Sequence, residues 1–255
     1  MNLLIGLLFI TGFIWAQVLD NPGNSPTHVL STIRDAEISQ PLPASFDVKW
    51  VDSLSLLLPC KGIQVPKRTT RLPNAPRDYR SGTHRGIDFF ANWGTLVRAV
   101  ADGTVIRADH NYQEIPADYR VQLLSASARV GYTPSDIFNS VLLGKAVFLD
   151  HGFEIIPGFR VISIYAHLAS IDTSITTGTF LKAGQNIGKS GNTGTRASTL
   201  NTKKEAHLHW EMILQNGNNE IYLGKDVPNP DLYDMLYNIF NPTVPAVDDS
   251  LNTDS

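Results

Sequence analysis

Cysteine is almost absent. The 255 residues include a single one, Cys60, so no intramolecular disulfide is available and an oxidising compartment gives the fold no covalent staple. Cys60 is expected as a small buried apolar residue, not as a nucleophile or metal ligand. Charge is also sparse. Charged residues make up 18% of the chain and the formal net charge is −3, which argues against nucleic acid or an anionic membrane surface as partner. No apolar run reaches the ~20 residues that cross a bilayer as a helix. The nearest, Leu3 to Trp15 in "MNLLIGLLFITGFIWAQ", has the length of a signal-peptide core. Its basic n-region is missing, since Asn2 is uncharged, but Ala16 offers a small residue for cleavage. Residues 1–16 are expected to be a signal peptide, cut near Ala16 to release a secreted or periplasmic chain with no stable membrane span. A retained N-terminal anchor is the alternative. No cysteine lies near the run to carry a lipid.

The chain is rich in apolar and turn residues: 42% hydrophobic, 19 glycines and 15 prolines. That balance suits a turn-rich β protein better than a helical bundle. Residues 17–46 are polar and Pro-rich and read as a linker. Residues 47–243 form the expected domain, and 244–255 a polar, acidic, disordered tail. Within the domain, "LLLPCKGIQVP" is expected as an edge strand interrupted by prolines, and Arg71 to Gly82 as a loop. "LVRAVADGTVIRAD" holds two apolar runs joined by Asp102-Gly103, a hairpin signal. Further strands are expected at Ala146–Asp150, Arg160–His167 and His207–Leu214. "LKAGQNIGKSGNTG" forces tight turns between short strands.

One stretch breaks the β pattern. Residues 112–143 read as a two-helix insertion. The first helix ends at Gly131, a C-cap. The second opens with Thr133 as N-cap and Pro134 at the first helical position, and closes at Gly144. The insertion is either surface decoration or a wall of a substrate groove.

Three short strings carry the chemistry: "HRGID" with His84 and Asp88, "YAHL" with His167, and "HLHWE" with His207 and His209. On a strand, residues two apart share a face. His207 and His209 therefore point one way and Leu208 and Trp210 the other. Both imidazoles can ligate one metal, or one can ligate while the other stands beside an open coordination position. Gly86 argues against a helix through "HRGID", and in an extended segment His84 and Asp88 also share a face. Asp88 precedes Phe89 and Phe90, so its carboxylate sits beside apolar groups and needs a partner, which a cation supplies. Two imidazoles and a carboxylate on zinc leave one position open for water, a composition suited to hydrolysis. A neighbouring imidazole can accept the water's proton, and His167 can donate to a developing oxyanion or orient the water.

These strings, in this order, resemble the lysostaphin-type, or LytM-like, zinc metallopeptidases that cut peptidoglycan peptides. "GTLVRAVADGTVIRA" and "LKAGQNIGKSGNTG" are similar to characteristic stretches of that family, and the likeness covers about Thr83 to Leu214. It implies a mainly β fold, a curved antiparallel, β-barrel-like sheet with a groove above it. It also implies one zinc ion per chain held by His84, Asp88 and His209, with His207 as general base and His167 as the second catalytic histidine. The implied substrates are stem peptides or cross-bridges of peptidoglycan. Two features depart from the family: the long insertion, and "TRASTLNTKKEA" between Gly194 and His207. Both put substrate preference in question more than metal binding.

Two competing functions stand beside this one. A catalytically silent wall-binding module that regulates another hydrolase typically lacks one or more of the five positions, and all five are present. A cupin-like metal protein would place both His207 and His209 on the metal and leave His167 idle. The remaining candidates have plainer expectations. His151 is read as a hydrogen-bonded structural histidine, His110 and His28 as solvated loop residues, and Tyr165 as a packed aromatic sharing a face with His167 on a regular strand. Arg77 and Arg80 are read as solvated loop residues that could instead bind a substrate carboxylate.

Overall fold

The computed structural model describes residues 46–241. The expected signal peptide, the linker up to residue 45, the tail 244–255 and His28 lie outside the described residues. A short ribbon of β1 (Pro76–Arg77) and β2 (Gly82–Thr83) leads into β3 (Ile87–Phe89), β4 (Leu96–Arg98) and β5 (Gly103–Ala108). The insertion follows, with helices α1 (Ala117–Val130) and α2 (Ser135–Ile137). The chain then runs through β6 (Val147–Asp150), β7 (Arg160–Ala166), β8 (Leu168–Ile171), β9 (Phe180–Leu181), β10 (Asn186–Ser190) and the short helix α3 (Arg196–Thr199). It ends with β11 (Leu208–Asn216), β12 (Asn219–Tyr222) and α4 (Asp231–Phe240).

The architecture is mainly antiparallel β. One sheet runs β12-β11-β7-β6-β5-β9, with β3 also paired to β11, and a second runs β4-β10-β8. Among the described residues the main sheet is open and does not close into a barrel. β11 is its spine. One edge of β11 is shared by β3, which takes Leu208 to Trp210, and by β12, which takes Ile213 to Asn216. The other edge pairs with β7.

The register follows from alternation. Ile87, Phe89, Leu208 and Trp210 turn to one face and are buried in the large core. That core is completed by α4, whose Leu232, Leu236, Ile239 and Phe240 form a stripe at helical spacing. Asp88, His207 and His209 are left for the opposite face. Part of that face is covered too. Leu143, Ala146, Ile164, Ala166 and Ile213 form a second apolar cluster, with Phe138 and Phe148 packed against it. Burial on both faces explains why β7 reads as an almost continuous apolar run and not as an alternating one.

Three expectations are corrected. Asp102-Gly103 does not make a hairpin, because β4 pairs with β10 while β5 pairs with β6 and β9. Asp102 instead accepts the Ala183 N–H at 2.8 Å and the Lys182 ammonium at 2.7 Å. Gly103 serves close approach, since a Cβ there would meet Asp150 O at 2.8 Å. "LLLPCKGIQVP" is not a strand. Its backbone bonds go to separate partners, Leu56 N–H to Ile239 O, Leu57 N–H to Val100 O and Arg98 N–H to Pro59 O. Cys60 within it is buried, and burial pushes its thiol up to about 12, which leaves it inert. The second insertion helix is also shorter than expected. Gly131 caps α1 in the left-handed conformation as its type suggests. Pro134, however, sits at the N-cap of α2, and the chain then widens into a π turn over Phe138–Leu142. Thr133 does not cap because its hydroxyl donates to Arg80 O at 2.7 Å and accepts from Arg80 Nη1 at 3.0 Å.

His151 is structural. Its Nδ1 donates to Asp102 O at 2.7 Å and its Nε2 accepts from the Ser163 hydroxyl at 2.6 Å. Burial lowers its pKa from 6.5, so the folded state keeps this imidazole neutral where the unfolded chain takes up a proton. Its contribution is complete above about pH 6.5 and is lost as pH falls below that value. Thermal melts at pH 7.5 and 5.5 are expected to show a smaller acid-induced drop in His151→Gln than in the wild type. An equal drop would reject the assignment.

Candidate metal centre and cleft

Adjacent strands deliver the site residues to one level. Asp88 in β3 lies directly across from His209 in β11, and His209 lies across from Ala166 in β7. His167 is the residue after Ala166. The strand ends there, because His167 takes the left-handed conformation at φ 59°, an uncommon state for a residue with a Cβ. This corrects the regular-strand expectation that paired Tyr165 with His167. Tyr165 is fully buried in the core, and its hydroxyl accepts the Val100 N–H at 2.9 Å. Gly86 lets the His84 turn approach β11, since a Cβ there would meet Trp210 O at 2.4 Å and the His209 ring at 2.9 Å.

His84, Asp88 and His209 converge, each offering an atom within 4.8 Å of the others. His84 Nε2 and His209 Nδ1 each lie 2.9 Å from Asp88 Oδ1, and 3.1 Å from one another. The outer nitrogens decide what these inner atoms are. His84 Nδ1 meets Leu72 O at 2.9 Å; a carbonyl only accepts, so Nδ1 carries the hydrogen and Nε2 turns a lone pair inward. His209 Nε2 meets the Glu211 carboxylate at 3.5 Å, so in the neutral ring the hydrogen sits on Nε2 and the Nδ1 lone pair turns toward Asp88. With His209 neutral, three lone pairs face one another, a conflict that a proton on His209 Nδ1 or a bound cation relieves.

The electrostatics express the same demand. Burial works against a charge on His209, but with no cation bound the protonated ring donates from Nδ1 to Asp88 and from Nε2 to Glu211, and these bonds outweigh burial and raise the imidazole to about 9. Burial would also raise Asp88, yet the surrounding His84, His209 and His207 hold its carboxyl well below the usual range. His84 is lowered, chiefly by burial. A proton answers the need for positive charge in part, and a divalent ion answers it more fully. The donor set of two imidazoles and one carboxylate fits zinc. The separations of 2.9–3.1 Å are close to the ~3.3 Å edge of a tetrahedron built on ~2.0 Å zinc bonds.

Around this centre the outer partners are well defined. Arg77 Nη2 lies 3.4 Å from Asp88 Oδ2, so one carboxylate oxygen faces the histidines and the other faces the arginine. Arg77 and the buried Arg80 are held within the fold, not solvated as expected. His110 is also tied down, with Nε2 donating to Ile175 O at 2.6 Å. Glu211 escaped the expectations drawn from sequence. It is fully buried and forms an ion pair with Arg85 Nε at 2.8 Å, and the Arg85 guanidinium lies over the Phe138 ring of the insertion at 4.5 Å. The alternation in "HLHWE" puts Glu211 on the face of His207 and His209, which is the signal that could have found it.

His207 and His167 complete the site without joining the inner triangle. His207 Nε2 is 3.6 Å from Asp88 Oδ1, and its Nδ1 donates to Glu205 O at 2.7 Å. His167 Nδ1 donates to Thr193 O at 2.8 Å. The two rings are 4.7 Å apart, centre to centre. Burial lowers both imidazoles, His167 the more strongly, so each keeps a neutral Nε2. The Thr193 segment is fixed by close contact. A Cβ on Gly144 would meet Thr193 O at 2.3 Å, and Glu114 Oε2 accepts the Gly194 N–H at 3.0 Å.

All five residues line a cleft of about 510 Å³. Val121, Leu124, Phe138 and Leu142 of the insertion form one wall, and Thr195, Arg196 and Glu205 belong to another stretch of the lining. The insertion is therefore part of the cleft and not remote decoration. The extra loop after Gly194 is pinned by Asn192, whose amide donates to Thr202 O and Lys204 O at 2.8 and 2.7 Å.

The model of peptidase family M23 matches residues 82–221, more than half of the chain. Among solved structures, the chain is similar to a zinc-containing peptidase from Vibrio cholerae at 22% identity, over 57% of this chain and 31% of that one, with a TM-score of 0.34. It is similar to a putative M23 peptidase from Pseudomonas aeruginosa at 24% identity, over 76% and 55% of the two chains, with a TM-score of 0.39. For the catalytic domain of the antimicrobial peptidase lysostaphin from Staphylococcus simulans the values are 19%, 69%, 93% and 0.34. The chain thus spans well under two thirds of the length of the first two. A search of curated proteins returns no match. The family match covers all three strings and both stretches of β structure that unite them, and the chain belongs to peptidase family M23.

Proposed function

We propose that the protein is an exported zinc endopeptidase that hydrolyses peptide bonds in the stem peptides or cross-bridges of peptidoglycan. The observation that carries this reading is the convergence of three potential ligand atoms from His84, Asp88 and His209, with two further neutral imidazoles beside them. In this reading His84 Nε2, Asp88 Oδ1 and His209 Nδ1 hold one zinc ion. When bound, zinc supplies Lewis acidity, polarising a carbonyl oxygen and making water more acidic. The chain's own residues supply the rest.

His207 is the general base. Glu205 O fixes the hydrogen on Nδ1 and leaves Nε2 free to take a proton from water near Asp88. His167, locked by Thr193 O, presents its own Nε2 to the cleft, where it orients water or, once protonated, donates to an oxyanion. Glu211 and Leu72 O set the tautomers of the two imidazole ligands, and Arg77 holds the second oxygen of Asp88. An open cleft suits a polymer substrate better than an enclosed pocket does. Export rests on the apolar run before Ala16, and the described residues contain no helix long and apolar enough to cross a membrane.

Purified sacculi incubated with the protein are expected to release new peptide ends, identified by mass spectrometry, and chelation is expected to stop the release. Binding to sacculi with no chelator-sensitive cleavage would favour the silent wall-binding module. His209→Ala is expected to lose both bound zinc and hydrolysis, and full metal occupancy in that variant would remove it from the ligand set. His207→Ala should retain zinc and lose about 10²–10⁴-fold in turnover, the usual scale for a general base; near-normal rates would place the base elsewhere. Glu211→Gln is expected to weaken zinc affinity by about 10–100-fold, as loss of an outer partner does. An unchanged affinity in competition with a chelating dye would show that Glu211 does not orient His209.

A further inference from the structure

The chain has a formal net charge of −3, yet four arginines line its cleft, Arg77, Arg80, Arg120 and Arg196, against the carboxylates of Asp88 and Glu205. Two of the four are engaged. Arg77 faces Asp88 Oδ2 at 3.4 Å and donates to Thr70 O and Pro76 O. Arg80 is buried and donates to Thr133 Oγ1 and Thr83 O, each at 3.0 Å. These are the arginines that the sequence offered for a substrate carboxylate, and the fold has used both.

The other two are available. Arg120, in α1, makes one side-chain hydrogen bond among the described residues, from Nε to Gly194 O at 3.4 Å, which leaves both terminal nitrogens of its guanidinium without a partner among them. Arg196, the first residue of α3, is exposed and its guanidinium has no partner among the described residues. The two belong to one wall, because α1 packs beside α3 and the Arg120 bond falls on Gly194, two residues before Arg196. Glu114 clamps the same Gly194 from its N–H side at 3.0 Å. Val121 and Leu124 of α1 line the cleft beside them, and an apolar flank strengthens any ion pair formed there. A guanidinium matches a carboxylate with two parallel hydrogen bonds.

We propose that Arg120 and Arg196 form a carboxylate subsite on the insertion side of the cleft, so that the enzyme acts on peptides carrying a free carboxylate beside the bond to be cut. The inference rests on the reading of the cleft as a peptidase active site and names what that site selects. The insertion thereby gains a role in recognition, since it carries one of the two cations and anchors the segment that carries the other. Glu205, on the same lining, disfavours a carboxylate placed near itself.

The test compares cross-linked wall peptides with the same peptides after their carboxylates are converted to carboxamides by carbodiimide and ammonia. The full chain is expected to prefer the native peptides by roughly 10-fold or more in kcat/KM, mainly through KM, the scale of one charge-assisted hydrogen bond. Arg120→Gln and Arg196→Gln should each bring the ratio toward one, and Arg196→Lys should restore part of it. Equal rates on both substrates, or an undiminished preference in both Gln variants, would overturn the proposal. If neither substrate is cleaved, fluorescence anisotropy with the same labelled peptides decides. A preference in binding that the Gln variants lose upholds the subsite while rejecting the peptidase reading, and binding indifferent to amidation rejects the subsite.

Discussion

The structure turns on an electrostatic conflict at one point, where the Asp88 carboxylate meets the inward lone pairs of His84 and His209. Three electron-rich atoms at 2.9–3.1 Å are unstable neighbours unless something positive sits among them. The conflict is built in by the outer contacts. Leu72 O and Glu211 dictate which nitrogen of each imidazole bears hydrogen, and Arg77 occupies the far oxygen of Asp88. Those contacts depend on the pairing of β3 with β11 and on the tight passage of Gly86 across Trp210 and His209. The large core beneath, with Ile87, Phe89, Leu208 and Trp210 turned into it, fixes that pairing. A one-residue slip would send Asp88 into the core and Ile87 into the cleft.

The second pair of histidines is held by a different device. His167 stands where β7 ends in a left-handed residue, and its ring is aimed by Thr193 O. Thr193 in turn is wedged against Gly144 at the close of the insertion. The insertion therefore reaches the centre by two routes. One runs through Gly144 and Thr193 to His167, and the other through Phe138 and Arg85 to Glu211 and His209. A segment that reads as an addition to a β fold is coupled to the residues that would bind metal and move protons.

Much of the site was legible because strand alternation is a strict rule. "HLHWE" separates core residues from polar ones as alternation requires, and so does Ile87–Phe89 within "HRGID", whereas His84 is brought to Asp88 by the bend at Gly86 and not by strand alternation. The expectation of a mainly β chain with a helical insertion came from turn residues and from the cap at Gly131. What could not be read locally is which strand pairs with which. Asp102-Gly103 looks like a hairpin, but its flanking strands find better partners far along the chain, and the glycine is needed where Asp150 O passes close. Thr133 looks like a cap, but Arg80 competes for its hydroxyl. Arg77 and Arg80 look solvated, because nothing within their loop reveals the carboxylate and the threonine that receive them.

The most direct measurement is a crystal structure of the zinc-loaded protein with anomalous diffraction recorded on either side of the zinc absorption edge. A single anomalous peak is expected, bonded to His84 Nε2, Asp88 Oδ1 and His209 Nδ1, with Glu211 still on the far nitrogen of His209. A peak bonded to both His207 and His209 with Asp88 unbound, or no peak at this point, would contradict the assignment of the metal centre.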